Sequence, residues 1–183
     1  MSGPELRGER VVLRPVTQEH VTPRYVGWLN DPETTRYLES GRIVETLESL
    51  SKYVAPYEGR PDALFLAIHL VGSCEHVGNV KLEPINRTHC HAVLGIMIGE
   101  AGARGKGIGG EAIRLVLAHA FRTMKLHRVA LGVTSENLPG IRCYQKLGFR
   151  EEGRFREAVL REHGYVDSIW MAILDREFRE LHG

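Results

Sequence analysis

One stretch restricts the fold of this chain more than any other: Gly99-Glu-Ala-Gly-Ala-Arg-Gly-Lys-Gly-Ile-Gly-Gly110. It stands between a β-type run, His91-Ala-Val-Leu-Gly-Ile-Met-Ile98, and an amphipathic helical pattern that begins at Ile108. Five glycines fall between residues 102 and 110, more than a solvent turn needs. Glycine lets backbone N–H groups approach a ligand, and a helix N-terminus adds partial positive charge. Strand, glycine loop and helix in that order therefore make a site for phosphate oxygens. The phosphate loop of nucleotide triphosphatases does not fit, because Gly105-Lys106 would put Glu100 at the first glycine and Gly107 where a Mg²⁺-binding hydroxyl belongs. The dinucleotide pattern G-x-G-x-x-G occurs at Gly105, Gly107 and Gly110, but no Asp or Glu lies between Ala112 and Ser135 to meet a ribose.

The segments around the loop give its setting. Arg10–Pro15 is a short strand, and Thr17 is the expected cap of a helix carrying Val21, Tyr25, Trp28 and Leu29. Asn30-Asp31-Pro32 breaks that helix, Thr34 to Glu39 form a short turn, and Thr46 caps a second helix with Leu47, Leu50, Tyr53 and Val54. Ala63–Leu70, His76–Ile85 and His91–Ile98 read as an antiparallel meander, since the turns between them are short. Ile108, Ala112, Val116 and Ala120, with Ile113, Leu117 and Phe121 beside them, mark a long buried helix. Arg128–Val133 then returns parallel to the third meander strand, because a helical crossover joins them. A short helix at 138–147 and two closing strands near 149–160 and 166–174 complete an α+β fold. Its sheet is mixed, mainly antiparallel and six- to seven-stranded, in one domain spanning 1–183.

Charge and cysteines narrow the partners. With 24 Lys+Arg against 23 Asp+Glu the net charge is +1, which offers no field for nucleic acid or an anionic membrane, and neither is expected as a partner. No apolar run reaches a membrane span and the opening residues are polar, so a cytoplasmic location is expected. Cys74, Cys90 and Cys143 are far apart and read as reduced. His89 and His91 alternate onto one strand face without an evident third ligand, and no metal is expected.

Arg104-Gly-Lys-Gly107-Ile-Gly109 matches Arg-x-x-Gly-x-Gly, and in this order of elements it resembles the GNAT superfamily of acetyl-CoA-dependent N-acetyltransferases. Ser135-Glu-Asn137-Leu-Pro-Gly-Ile-Arg-Cys-Tyr144-Gln-Lys-Leu-Gly-Phe149 is similar to a second signature of that family. Gly8-Glu-Arg-Val-Val-Leu-Arg-Pro15, Trp28-Leu-Asn-Asp-Pro-Glu33 and Gly164-Tyr-Val-Asp167 resemble the branch containing ribosomal-protein N-terminal acetyltransferases. The resemblance spans about residues 7–176.

It implies acetyl-CoA as cosubstrate. Arg104, Gly105, Lys106, Gly107, Ile108 and Gly109 would lie at the pyrophosphate, Met97 and Ile98 would hold the pantetheine arm through their backbone, and Asn137 would bond to coenzyme A. Tyr144 is the expected general acid, since a phenol of pKa ~10 stays protonated at neutral pH and can protonate a leaving thiolate. The family often draws its base from the fourth strand, where Val93 occupies a position frequently acidic, so Glu83 and Glu100 are the candidates here. Cys143 has no partner to activate it, and direct attack without an acyl-enzyme is expected. The acceptor is a primary amine, of a small molecule such as an amino sugar or of a protein N-terminus, with a homodimer left open. Aromatic residues of the opening helices and last hairpin (Trp28, Tyr37, Tyr53, Tyr57, Tyr165, Trp170) would build its pocket. The acids Asp31, Glu33 and Asp167 suit a cationic amine, whereas Arg42, Arg154, Arg156 and Arg161 suit a phosphorylated one. A non-catalytic acyl-CoA sensor on the same fold and a nicotinamide oxidoreductase are the alternatives.

Overall fold

A computed structural model describes residues 3–38 and 43–183. Its eight strands form one sheet in the order β1-β2-β3-β4-β5-β6-β8-β7, where β1 is Leu6–Arg7, β2 Val11–Pro15, β3 Leu64–Leu70, β4 His76–Asn86, β5 His91–Ile98, β6 Arg128–Thr134, β7 Arg150–Arg161 and β8 Gly164–Leu174. Every neighbouring pair is antiparallel except β5 with β6. The two-residue β1 is one strand more than the sequence announces; it is too short for any periodicity to show.

The opening helices differ in their starts. Thr17 caps only a 3₁₀ turn, Gln18–His20, and α1 (Pro23–Asn30) begins five residues further on. There Pro23 sits at the first helical position and the Thr22 hydroxyl accepts from Tyr25 N–H, a better start than Thr17 could offer across Pro23. Asp31 ends α1 and caps α2 (Pro32–Thr35), accepting from the N–H groups of Glu33 and Thr34. Thr46 caps α3 (Leu47–Val54) through a reciprocal bond with Ser49. Glu39 and Arg42 lie outside the described residues.

Two hydrophobic layers sandwich the sheet. On one face, α4 (Ile108–Arg122) packs Ile113, Val116, Leu117 and Phe121 against Leu66, Ile68, Val80, Leu82, Leu94 and Leu131. On the other, α1 and α3 bury Tyr25, Trp28, Leu50 and Val54 against Phe65, Ala67 and Met97. α5 (Leu138–Lys146) follows β6, and α6 (Asp175–His182) closes the chain with Phe178 on Phe121, their ring centroids 5.4 Å apart. Among the described residues no helix is long and apolar enough to cross a membrane.

The sheet is broken at one place. β5 and β6 are paired only at His91–Arg128, Ala92–Val129 and Val93–Ala130. Beyond those three pairs the strands part, while β5 stays bonded to β4 as far as Ile98 and β6 to β8 as far as Thr134. Alternate backbone groups of Leu94–Ile98 therefore face the opening without a strand partner.

Candidate active site

The glycine loop leaves β5 at the mouth of this opening. Gly105 and Gly107 adopt φ of 71° and 76°, left-handed values that only glycine takes without strain. Gly107 is the N-cap of α4 and offers no side chain to cap it. The first N–H paired to the cap is that of Glu111, which donates to Gly107 O at 3.1 Å, so the amides of Ile108, Gly109 and Gly110 point out of the helix end. A Cβ on Gly107 would sit 2.9 Å from Arg10 Nη1.

Arg10 and Glu111 hold this helix end in place. The Glu111 carboxylate is buried and accepts from Arg10 N–H at 2.9 Å and from Arg10 Nε at 2.7 Å, while Arg10 Nη1 donates to Lys106 O at 2.8 Å. Burial pushes the Glu111 carboxyl up, but the N–H and guanidinium of Arg10 outweigh it and hold the group below the usual carboxylate range. The one acidic residue in the first turn is thus neutralised, leaving the positive end of α4 unopposed.

Arg104 faces inward. Its Nε donates to Ile98 O at 3.0 Å and its Nη2 to Gly99 O at 2.9 Å and to the Thr34 hydroxyl, with Asp31 at 3.8 Å. The guanidinium ties the loop to α2. Lys106 is exposed beside the free amides.

α5 brings the second signature to the same place. Asn137 caps α5, accepting from Gly140 N–H at 3.0 Å. A Cβ on Gly110 would lie 3.6 Å from Cys143 Sγ, which puts the residue before Tyr144 against the first turn of α4. The Tyr144 ring packs on Phe149 at 5.9 Å, and its hydroxyl has no hydrogen-bond partner among the described residues. Burial, with a smaller contribution from Cys143, pushes the phenol up to about 12. Cys143 is itself raised by burial, so thiolate is scarce there.

The two carboxylates nominated as bases are both engaged. Glu83 accepts from the Tyr57 hydroxyl at 2.5 Å and Lys81 Nζ at 2.9 Å and pairs with Arg60 Nη1 at 2.6 Å. Burial works to raise its carboxyl, and these donors pull it below the ordinary range. It also stands four residues along β4 from Asn79, the partner of Met97, hence about 13 Å from the loop mouth. Glu100 is nearer the mouth and is paired with Arg24 at 2.8 Å.

A cleft of about 320 Å³ opens on the α1–α3 face beside the strand opening. Gly132 and Thr134 of β6 and Ser168 and Trp170 of β8 form its floor, because their neighbours Leu131, Val133, Ile169 and Met171 turn to the α4 core. Tyr37, Phe155 and Arg161 form its walls. A bulge in β7 between Phe155 and Val159 aims that strand inward, and Glu157, at its centre with φ 52°, is held by Asp167, which accepts its N–H at 3.0 Å. Of the aromatics nominated for an acceptor pocket, Tyr37 and Trp170 are here. Trp28 packs over Gly99 and His76, Tyr53 and Tyr57 pack edge-on and tilted against Phe65, and Tyr165 faces solvent.

Sequence reasoning misses a histidine cluster under α1. His20 Nε2 and His69 Nε2 are 3.1 Å apart, and the half-buried His76 ring lies 5.2 and 5.3 Å from theirs. His76 Nε2 is 3.0 Å from both Gly78 O and Asn79 Oδ1. The one signal for it is the opposition of His69 and His76 across the β3–β4 hairpin. His20 arrives from a distant turn.

Comparison with known proteins bears on the family and the fold. Residues 10–150 match the family model of the GNAT acetyltransferase domain. The chain is 30% identical over 179 residues to the probable N-acetyltransferase YjcK of Bacillus subtilis, covering 93% of this chain and 97% of that protein. It is 29% identical over 173 residues to the spermidine N(1)-acetyltransferase of Escherichia coli K12, covering 94% and 90%. The crystal structure of a Vibrio cholerae spermidine N-acetyltransferase with CoA and spermine shares the fold at a TM-score of 0.84, with 24% identity over 92% of this chain and 98% of that one.

Proposed function

The chain belongs to the GNAT acetyltransferases and is an acetyl-CoA-dependent N-acetyltransferase, and from that premise we propose that it acetylates a small primary amine by direct attack. The observation that carries the reading is the convergence of the α4 helix end, the parted strands β5 and β6, and α5 with Tyr144, whose hydroxyl has no partner among the described residues.

Acetyl-CoA, when bound, supplies the activated thioester. The amides of Ile108, Gly109 and Gly110, with Gly105 and Gly107 giving close approach and Lys106 alongside, hold its pyrophosphate. Backbone groups at Met97 and Ile98 hold the pantetheine arm, and Asn137 adds a bond while it caps α5. Arg104 acts as a positioning residue, fixing the loop to α2. Tyr144 donates the proton that the departing sulfur needs; its raised pKa keeps that proton in place across the working range. Because Glu83 and Glu100 are both ion-paired, the amine proton leaves through water. The amine enters by the cleft floored by Trp170, whose 320 Å³ suits a small molecule. The free cysteines fit a reducing, cytoplasmic compartment.

A thiol-release assay with acetyl-CoA against amino acids, amino sugars, polyamines and peptides tests the activity. Release with none of them would overturn it. The pyrophosphate assignment has its own test. Gly107→Val forces a branched residue into φ 76° and against Arg10, strain of roughly 1–3 kcal/mol. The acetyl-CoA KM should rise about tenfold or more, with the amine KM unchanged; an unaltered acetyl-CoA KM would place the pyrophosphate elsewhere.

A further inference from the structure

Two buried polar atoms with no hydrogen-bond partner among the described residues, Thr134 Oγ1 and Arg161 Nε, belong to residues that line the same cleft. Burial of such groups unpaired is costly, and their convergence in one concave site marks a place that a ligand completes. Arg161 has five donors, and its one contact to a described residue is a long 3.5 Å approach of Nη1 to the neutral Leu38 carbonyl. It forms no ion pair among the described residues. No described residue lining the cleft is an Asp or Glu. Asp167, the residue before Ser168, is already taken by Arg154 at 3.3 Å and by Glu157 N–H. Ser168 adds a hydroxyl opposite Thr134.

Such a site repels a polycation and receives an anion. We propose that the acceptor carries a carboxylate or phosphate beside its amine, and that Arg161 binds this anion while Thr134 and Ser168 support it. The proposal rests on the N-acetyltransferase reading and on this cleft being the acceptor's. The aromatic walls Tyr37, Phe155 and Trp170 hold the body of the acceptor, and the charge of Arg161 orients it so that the amine points at the strand opening. This separates the chain from the spermidine acetyltransferases to which it is similar, whose substrate is cationic throughout.

Matched amines that differ only in the anion test this by thiol release: glucosamine 6-phosphate against glucosamine, phenylalanine against phenylalaninamide, with spermidine as the cationic arm. At least one anionic member should exceed its neutral partner and spermidine about 30-fold or more in kcat/KM. The phosphate and carboxylate pairs tell which anion is read. Arg161→Met should reduce that preference to near unity by raising KM, with kcat within about threefold, and Arg161→Lys should restore part of it. Preference for spermidine, or an equal loss by Arg161→Met on charged and neutral amines, would overturn the proposal. If no amine releases thiol, the acetyltransferase reading fails by itself. The anion site is then judged by melting temperature, which the anionic probes should raise in the wild type and not in Arg161→Met; no such difference would sink it too.

Discussion

Tyr144→Phe should lower kcat about 100-fold, leaving the acetyl-CoA KM and the melting temperature close to those of the wild type. General-acid assistance is worth about 10²–10⁴-fold, and the low end of that range is expected here. The fold should be indifferent to the change. The ring makes the packing contacts with Phe149, and among the described residues the hydroxyl has no partner to lose. Removing it leaves no orphaned donor or acceptor, so the stability cost stays within roughly 0.5 kcal/mol. Full turnover in the phenylalanine variant would remove Tyr144 from the mechanism. A lowered melting temperature with a parallel fall in kcat would show packing to be its role.

The second large effect concerns acid stability. Burial, helped by the neighbouring His20 and His69, holds His76 down at about 4, against an ordinary 6.5. His20 is lowered in the same direction by burial and by His69. For a histidine whose folded pKa is depressed, the unfolded chain binds the proton first. Stability is then complete above 6.5 and is lost as the pH falls from there toward 4. The interval corresponds to about 3 kcal/mol from His76 alone. Urea midpoints at pH 7, 6 and 5 measure this decline above the range where Glu83 and Glu111, both depressed carboxyls, begin to contribute. His76→Gln keeps a donor for Gly78 O and should flatten the decline over that window. A variant whose midpoints fall in parallel with the wild type would assign the loss to other groups.

The α4 stripe, the meander and the glycine loop can be read from the chain because each rests on local rules: a 3.6-residue period, strands closed by short turns, and glycine where φ must be positive. Thr46 is legible as a cap for the same reason. Thr17 is not a helix cap, since Pro23 sets a better start further on. α6 is hidden in the sequence because Asp-Arg-Glu-Phe-Arg-Glu-Leu-His offers one fully buried apolar residue, Phe178. The site divides along the same line. Gly107 and Asn137 are placed by their own segments. The partners of Glu83 come from three: Tyr57 after α3, Arg60 in the following loop and Lys81 in β4. The cleft brings Arg161 of the bulged β7 together with Tyr37 from the opening segment, and no run of residues announces it.

The parting of β5 from β6 also shapes how the chain lives among other chains. Unsatisfied backbone along a strand invites pairing with any foreign strand, and proteins ordinarily blunt such edges with charge, proline or covering segments. Here the unpaired backbone of Leu94–Ile98 lies inside the sheet, between strands anchored on their far sides by β4 and β8 and pinned together at His91–Val93. An intruding strand would need the two halves of the sheet to separate along those three pairs. The protein thus keeps a row of amides and carbonyls open to a slender, flexible visitor while denying it to its neighbours in a crowded solution.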